Sequence, residues 1–135
     1  ATPALIAAQN GHLEVLRLLV EKGNADVNLA ADDGYTPAFI AAQKGHLEVL
    51  RLLVEKGNAE VNTAHVDGTT PAFIAAQNGH LGVLRLLVDK GANVNVDPKY
   101  LPRALKRASE GGHFEIVRTL VRGGATLVRS GETID

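Results

Sequence analysis

Apolar positions recur in this chain at a helical spacing, in short segments separated by turn residues. In Leu13-Glu14-Val15-Leu16-Arg17-Leu18-Leu19-Val20-Glu21 the polar residues Glu14, Arg17 and Glu21 fall at i, i+3 and i+7, a single solvated stripe on a helix. Leu13, Leu16, Leu19 and Val20 take the opposite side, toward a core. The segment before it, Ala4 to Asn10, predicts a shorter helix of small residues on the faces that meet neighbours. Thr2 supplies an N-cap hydroxyl, and Pro3 fits the first helical position, where its missing N–H costs nothing. Gly11 ends that helix and His12 opens the turn into the next. Gly23 is expected to close the second helix in a left-handed conformation. Beyond Asn28 comes Asp33-Gly34, a tight-turn dipeptide. The predicted unit is helix, turn, helix, then an extended finger tipped by a hairpin turn.

The unit recurs. Thr2-Pro3, Thr36-Pro37 and Thr70-Pro71 stand 34 residues apart, as do Gly11-His12, Gly45-His46 and Gly79-His80. Residues 2–35 and 36–69 differ at seven of 34 positions. The third unit is one residue shorter, with Gly91-Ala92-Asn93-Val94-Asn95 where the first has Gly23-Asn24-Ala25-Asp26-Val27-Asn28, so His113 follows His80 by 33 residues and marks a fourth, diverged unit. The chain is expected to be a single domain of units at about 2–35, 36–69, 70–102 and 103–129, with a polar tail at 130–135 that frays. One such unit cannot bury its apolar faces; a stack can.

Residues 36–47, Thr-Pro-Ala-Phe-Ile-Ala-Ala-Gln-Lys-Gly-His-Leu, together with Val61-Asn62, resemble the ankyrin repeat, whose core reads T-P-L-H-x-A-A-x-x-G-H-L. The rival tetratricopeptide pattern of Trp, Leu, Gly and Tyr is absent. The resemblance implies an all-α repeat solenoid of four stacked helix-turn-helix-finger units, the fourth acting as a C-terminal cap. Two departures stand out. Leu5, Phe39 and Phe73 replace the family's histidine, so an apolar side chain must fill that space. The extra residue near Asn24 and Asn58 lengthens the loop between second helix and finger.

The ends differ. In the fourth unit Lys106 and Arg107 take the places of Phe73 and Ile74, Thr119 replaces Leu86, and Arg103-Ala104 replaces Thr-Pro. These changes fit a polar terminal face. The first unit keeps interior-type residues such as Ile6 and Leu18, and the chain starts without Met. Further repeats are expected ahead of it; otherwise an apolar end drives end-to-end self-association.

What the resemblance implies about function is a partner protein or peptide held along the fingers and the inner face of the first helices. By position this points to Asp32, Asp33, Tyr35, Gln43 and Lys44 in the first groove segment. Val66, Asp67, Thr69, Gln77 and Asn78 follow in the second, then Lys99, Tyr100 and Arg103. Tyr35 and Tyr100 are the expected anchors, since Tyr and Arg are enriched among interface hot spots. For the polar members the plain alternative is a solvated turn, and for Phe39 and Phe73 it is packing. Asn28, Asn62 and Asn95 occupy the loop position at which the family's asparagines are hydroxylated; their simpler role is to satisfy turn backbone groups.

Composition narrows the function. With 45% hydrophobic but only 4% aromatic residues, the core must be aliphatic, which suits thin stacked helices better than a deep pocket. No apolar run reaches the ~18 residues of a membrane span. The chain has no Cys, which removes disulfides and thiolate metal sites and favours an intracellular setting. Net charge is −1 overall, with −4 over residues 1–98 and +3 over 99–135. A groove whose field reverses sign favours one orientation of a partner, and makes nucleic acid a poor ligand.

Candidate chemistry is sparse. His12, His46, His80 and His113 share one repeat position, and stacked units stand ~8–10 Å apart, too far to share a zinc ion ligated at ~2 Å. Each is expected to satisfy backbone groups in its own turn, with His65 solvated on a finger. Ser109 and Ser130 have no patterned base, no phosphate loop occurs, and Asp32-Asp33 suits a solvated turn better than an acid–base pair. No cofactor, metal site or catalytic residue is expected. The reading is a non-enzymatic protein-interaction module. Its alternative, favoured by near-identical units without Met, Cys or Trp, is an engineered or consensus-type stable scaffold with no native partner.

Overall fold

The computed structural model describes residues 2–23, 26–63, 69–92, 115–116, 118–119, 127–129 and 132–134. Among the described residues six helices come in three pairs: α1 (Pro3–Asn10) with α2 (Leu13–Glu21), α3 (Pro37–Lys44) with α4 (Leu47–Glu55), and α5 (Pro71–Gln77) with α6 (Leu81–Asp89). The first helix of each pair packs on the first helix of the next, and the second helices likewise, giving an inner and an outer row. This is the expected all-α solenoid. Glu115, Ile116, Arg118 and Thr119 of the fourth unit are also helical.

Each inner helix starts on a threonine cap. The hydroxyls of Thr2, Thr36 and Thr70 accept from the backbone N–H of Leu5, Phe39 and Phe73 at 3.1, 3.1 and 3.2 Å, satisfying a donor that would otherwise have no partner. Alanine pairs at 7–8, 41–42 and 75–76 are buried between inner helices, while Leu16, Leu50, Leu53, Leu84 and Leu87 fill the space beneath the outer row. Leu5, Phe39 and Phe73 are buried as well, so an apolar side chain does occupy the place of the family's histidine. The charged stripe is as expected: Arg17 lies 3.6 and 4.0 Å from Glu14 and Glu21, and Arg51 3.6 and 3.9 Å from Glu48 and Glu55. Exposed pairs of this kind contribute only ~0.3–0.5 kcal/mol each.

Three expectations are corrected. Gly23 is not left-handed, and neither is Gly57; in the second unit the left-handed residue is Asn58, at φ 56°. The extra residue widens the closing turn, with Ala59 N–H reaching back six residues to the Leu53 carbonyl. Where the loop is one residue shorter, Gly91 has φ 84° and Ala92 N–H reaches back five, to Leu87. Thr119 does not add to a polar terminal face. It is buried, because its position in the repeat looks back at the preceding unit rather than out of the stack. Part of the tail also forms a hairpin, β1 (Leu127–Arg129) pairing antiparallel with β2 (Glu132–Ile134) in register Leu127↔Ile134, Val128↔Thr133, Arg129↔Glu132. β-Branched Val128, Thr133 and Ile134 favour extended backbone.

Candidate binding groove

The first finger comes off α2 and turns back over the inner helices α1 and α3. At the first finger tip Gly34 N–H donates to the Ala31 carbonyl at 2.8 Å and Ala31 N–H to the Tyr35 carbonyl at 2.9 Å. Gly34 has φ 89°, the bulged form of a short hairpin loop. Asp33 stabilises this tip by accepting from the Tyr35 N–H at 3.2 Å. Its carboxylate and that of Asp32 are exposed at the turn. Between fingers, Asn28 accepts from Glu60 N–H at 2.8 Å and donates to the Asn58 carbonyl at 3.5 Å. The loop asparagine thus satisfies backbone groups of the following unit.

Turn and helix together enclose a hollow of about 320 Å³ lined by Leu5, Gln9, Ala31, Asp33, Tyr35, Ile40, Gln43 and Lys44. Leu5 and Ile40 form an apolar floor, nearly fully buried in the fold. Tyr35 is half-buried, its ring 5.4 Å from that of Phe39 at a tilt of 41°, an aromatic arrangement that holds the phenol in place. Lys44, on the last turn of α3, and Asp33 put opposite charges on the rim. A concave surface with an apolar floor and a few fixed polar groups is the usual form of a ligand site.

Of the residues singled out from sequence, Asp33, Tyr35, Gln43 and Lys44 meet in this hollow. Asp32 sits beside it at the turn tip. Thr69, Gln77 and Asn78 stand at the repeat positions of Tyr35, Gln43 and Lys44, and Asn78 has a structural task, since its amide donates to the Gln43 carbonyl at 3.1 Å. Val66, Asp67, Lys99, Tyr100 and Arg103 lie outside the described residues, as do Asn24, His65, Asn95, Lys106, Arg107, Ser109, His113 and Ser130. Sequence reasoning missed Leu5, Gln9, Ala31 and Ile40, because apolar and amide side chains on an inner helix read as core or as solvent.

The histidines require another correction. His46 Nε2 lies 3.3 Å from the Gln9 carbonyl and His80 Nε2 3.0 Å from the Gln43 carbonyl. A carbonyl only accepts, so Nε2 carries the proton. Each histidine therefore bonds to the end of the preceding unit's inner helix, not to its own turn. Among the described residues no group of three His, Cys, Asp or Glu could hold a metal ion, and no helix is long and apolar enough to cross a membrane.

On the opposite face a shallower hollow of about 200 Å³ lies between α2 and α4, lined by Leu13, Arg17, Glu48, Arg51, Leu52, Glu55 and Lys56. Its arginines are already paired with glutamates on their own helices.

A family model described as ankyrin repeats (three copies) matches residues 1–65 and again 57–130. Among solved structures, the human ASB11 ankyrin repeat domain is similar, with a TM-score of 0.80 and 28% identity over 92% of this chain. The chain spans about half of that structure, 55% of its length. No curated protein sequence matches.

Proposed function

Because the chain belongs to the ankyrin-repeat family, whose units are generally protein–protein interaction modules, we propose that it binds one partner protein or peptide segment along the groove and finger tips, without chemistry of its own. One observation carries this reading. Units 1 and 2 differ at only seven of 34 positions, yet four of the eight residues lining the hollow, Leu5, Ala31, Tyr35 and Lys44, stand at those positions. By contrast α2 and α4 are the same nonapeptide. Between these two units variation gathers where a ligand would lie and is absent from the outer helices, the distribution expected of a shaped binding surface; in the third unit α6 departs from that nonapeptide at Gly82 and Asp89. A scaffold with no native partner has no reason to concentrate its differences there.

The partner this surface suits carries an apolar side chain for the floor, with a basic group toward Asp32 and Asp33 and an acidic one toward Lys44. Tyr35 supplies the rigid, amphipathic contact, with Thr69 and Gln77, and, by their place in the repeat sequence alone, Val66, Asp67, Lys99, Tyr100 and Arg103 as further candidates. The cysteine-free composition supports an intracellular setting. Affinity capture from cell lysate tests the reading, comparing the parent chain with a Tyr35→Ala, Tyr100→Ala, Arg103→Ala variant that keeps its helical circular dichroism. A protein retained by the parent and lost by the variant is the expected result. If neither chain retains a protein, the scaffold reading takes its place.

A further inference from the structure

The hollow beneath the first finger tip owes its room to two small side chains. Leu5 stands where the next two units have Phe39 and Phe73, and Ala31 where the second finger has His65. Leu5, Phe39 and Phe73 are 4%, 3% and 5% exposed, so the position is internal in all three units, but only in the first is it aliphatic. Tyr35 stands where the second unit has Thr69. The step that has lost bulk from its floor and finger has therefore gained an aromatic wall.

Size and lining limit what fits there. The hollow holds about 320 Å³, and a ring of benzene's size fits an apolar cavity of about 150 Å³. One aromatic ring, with its Cβ and the adjoining main chain, therefore fills it. The Tyr35 ring, set by its 5.4 Å contact with Phe39, lines the hollow. A second ring against it gains the tilted or offset attraction between aromatic quadrupoles in addition to burial, which an aliphatic side chain does not. Asp33 and Lys44 are exposed on the rim and call for one basic and one acidic group beside the ring. The side-chain amides of Gln9 and Gln43, one from each inner helix, line the same space. They make no hydrogen bond to another described residue, which leaves them available to a partner's main chain.

Building on the groove reading above, we propose that this hollow is the anchor pocket for one aromatic side chain of the partner segment. That side chain is flanked by a basic residue facing Asp33 and an acidic residue facing Lys44. Leu5 and Ala31 set the specificity, by leaving room that the larger residues at their repeat positions would take. A partner shifted by one unit would bring its ring to the positions of Phe39 and His65, so the anchor is read at the first step alone.

Phage-displayed random linear peptides selected on the parent chain test this. The selected peptides, made synthetically, are titrated onto the parent, Tyr35→Ala, Ala31→His and the double variant Leu5→Phe, Ala31→His, each keeping the parent's circular dichroism. Ala31→His guards against a misfolded double variant, because Ala31 serves the finger turn only through its N–H and carbonyl. The peptides should share one aromatic residue with a basic and an acidic neighbour. Their affinity should fall roughly tenfold or more on Tyr35→Ala and on the filled pocket, the loss of one hot-spot contact. Exchanging the peptide's aromatic residue for leucine should weaken binding to the parent by a similar factor, but change little on the double variant, since the two losses are one contact. Peptides that need Tyr35 yet bind both filled-pocket variants as tightly as the parent, or that carry an aliphatic anchor, overturn the pocket and leave the groove reading standing. Selected peptides indifferent to Tyr35, or the failure of any peptide to be selected, overturn both.

Discussion

Gly45→Ala isolates the contact that couples neighbouring units. Gly45 sits at φ 77°, where an L side chain costs ~1–2 kcal/mol, offset in part by the ~0.4–1 kcal/mol gained from a less flexible unfolded chain. That leaves a backbone cost of about 1 kcal/mol. The new Cβ would also lie 2.7 Å from both Cε1 and Nδ1 of His80. The half-buried ring must move, and its 3.0 Å bond to the Gln43 carbonyl is lost, worth ~0.5–1.5 kcal/mol. Asn78 still donates to that carbonyl, so no orphaned acceptor adds to the loss. The total is about 2 kcal/mol. Gly91→Ala serves as the control: φ is 84° there, but nothing lies within 4 Å of the added carbon, so only the backbone cost of about 1 kcal/mol applies. In a His80→Ala background Gly45→Ala should fall to the same value, a coupling of about 1 kcal/mol between the two sites. Urea unfolding followed by far-ultraviolet circular dichroism measures all four variants, since the chain has no Trp. Equal costs at positions 45 and 91, or strict additivity of Gly45→Ala with His80→Ala, would refute the steric argument.

Four further substitutions are read by the same unfolding experiment. Leu52→Ala should cost ~2–5 kcal/mol and Leu18→Ala less than ~1, although both occupy the sixth position of an identical nonapeptide; similar losses would mean that stacking does not bury Leu52. Gly82→Ala should stabilise by up to ~0.5 kcal/mol, because Gly82 is exposed in the first turn of α6 and its added carbon would meet only the flexible end of Leu47, at 3.3 Å; a loss would show that Leu47 cannot yield. Thr36→Val keeps the shape of a buried cap but leaves Phe39 N–H without its 3.1 Å acceptor, and should cost ~1–2 kcal/mol; a neutral result would remove the hydroxyl from the account of helix initiation.

Much of the fold is legible from local chemistry, because each unit carries its own punctuation. Thr-Pro marks the start of α1, α3 and α5, and Gly-His marks the turn into the outer helix. What local chemistry does not encode is set by the neighbour. Gly23 and Gly57 look like left-handed caps, yet one inserted residue passes that role to Asn58 in the second unit. The histidines look like groups that complete their own turns, but the nearest acceptor is a carbonyl 37 residues upstream. Thr119 looks like cap polarity until its repeat position is seen to face backward. The groove was legible in its rim, where Asp33, Tyr35, Gln43 and Lys44 follow from the family resemblance, and hidden in its floor. Leu5 and Ile40 belong to the core and to the hollow at once, a double membership that no single-residue rule expresses.

The same comparison separates the two demands on the sequence. A stack requires each unit to present one surface upstream and its complement downstream, and the two must match whatever the partner is. Identity of α2 and α4, the repeated Ala-Ala pairs and the recurring Gly-His all serve that match. They cannot confer selectivity between the first two units, which share them. Selectivity has to come from unlike steps along an otherwise regular groove. Tyr35 and Lys44 give the first step an aromatic group and a positive charge; the second has Thr69 and Asn78 in those places, and Asn78 is engaged in holding the units together. On the proposed reading, a partner bound in register gains most at the first step, and sliding it by one unit would set its complementary groups against a threonine and an amide. On the proposed reading, the repeat frame holds the units in register, and the few positions that break the repeat set which way, and where, a partner lies.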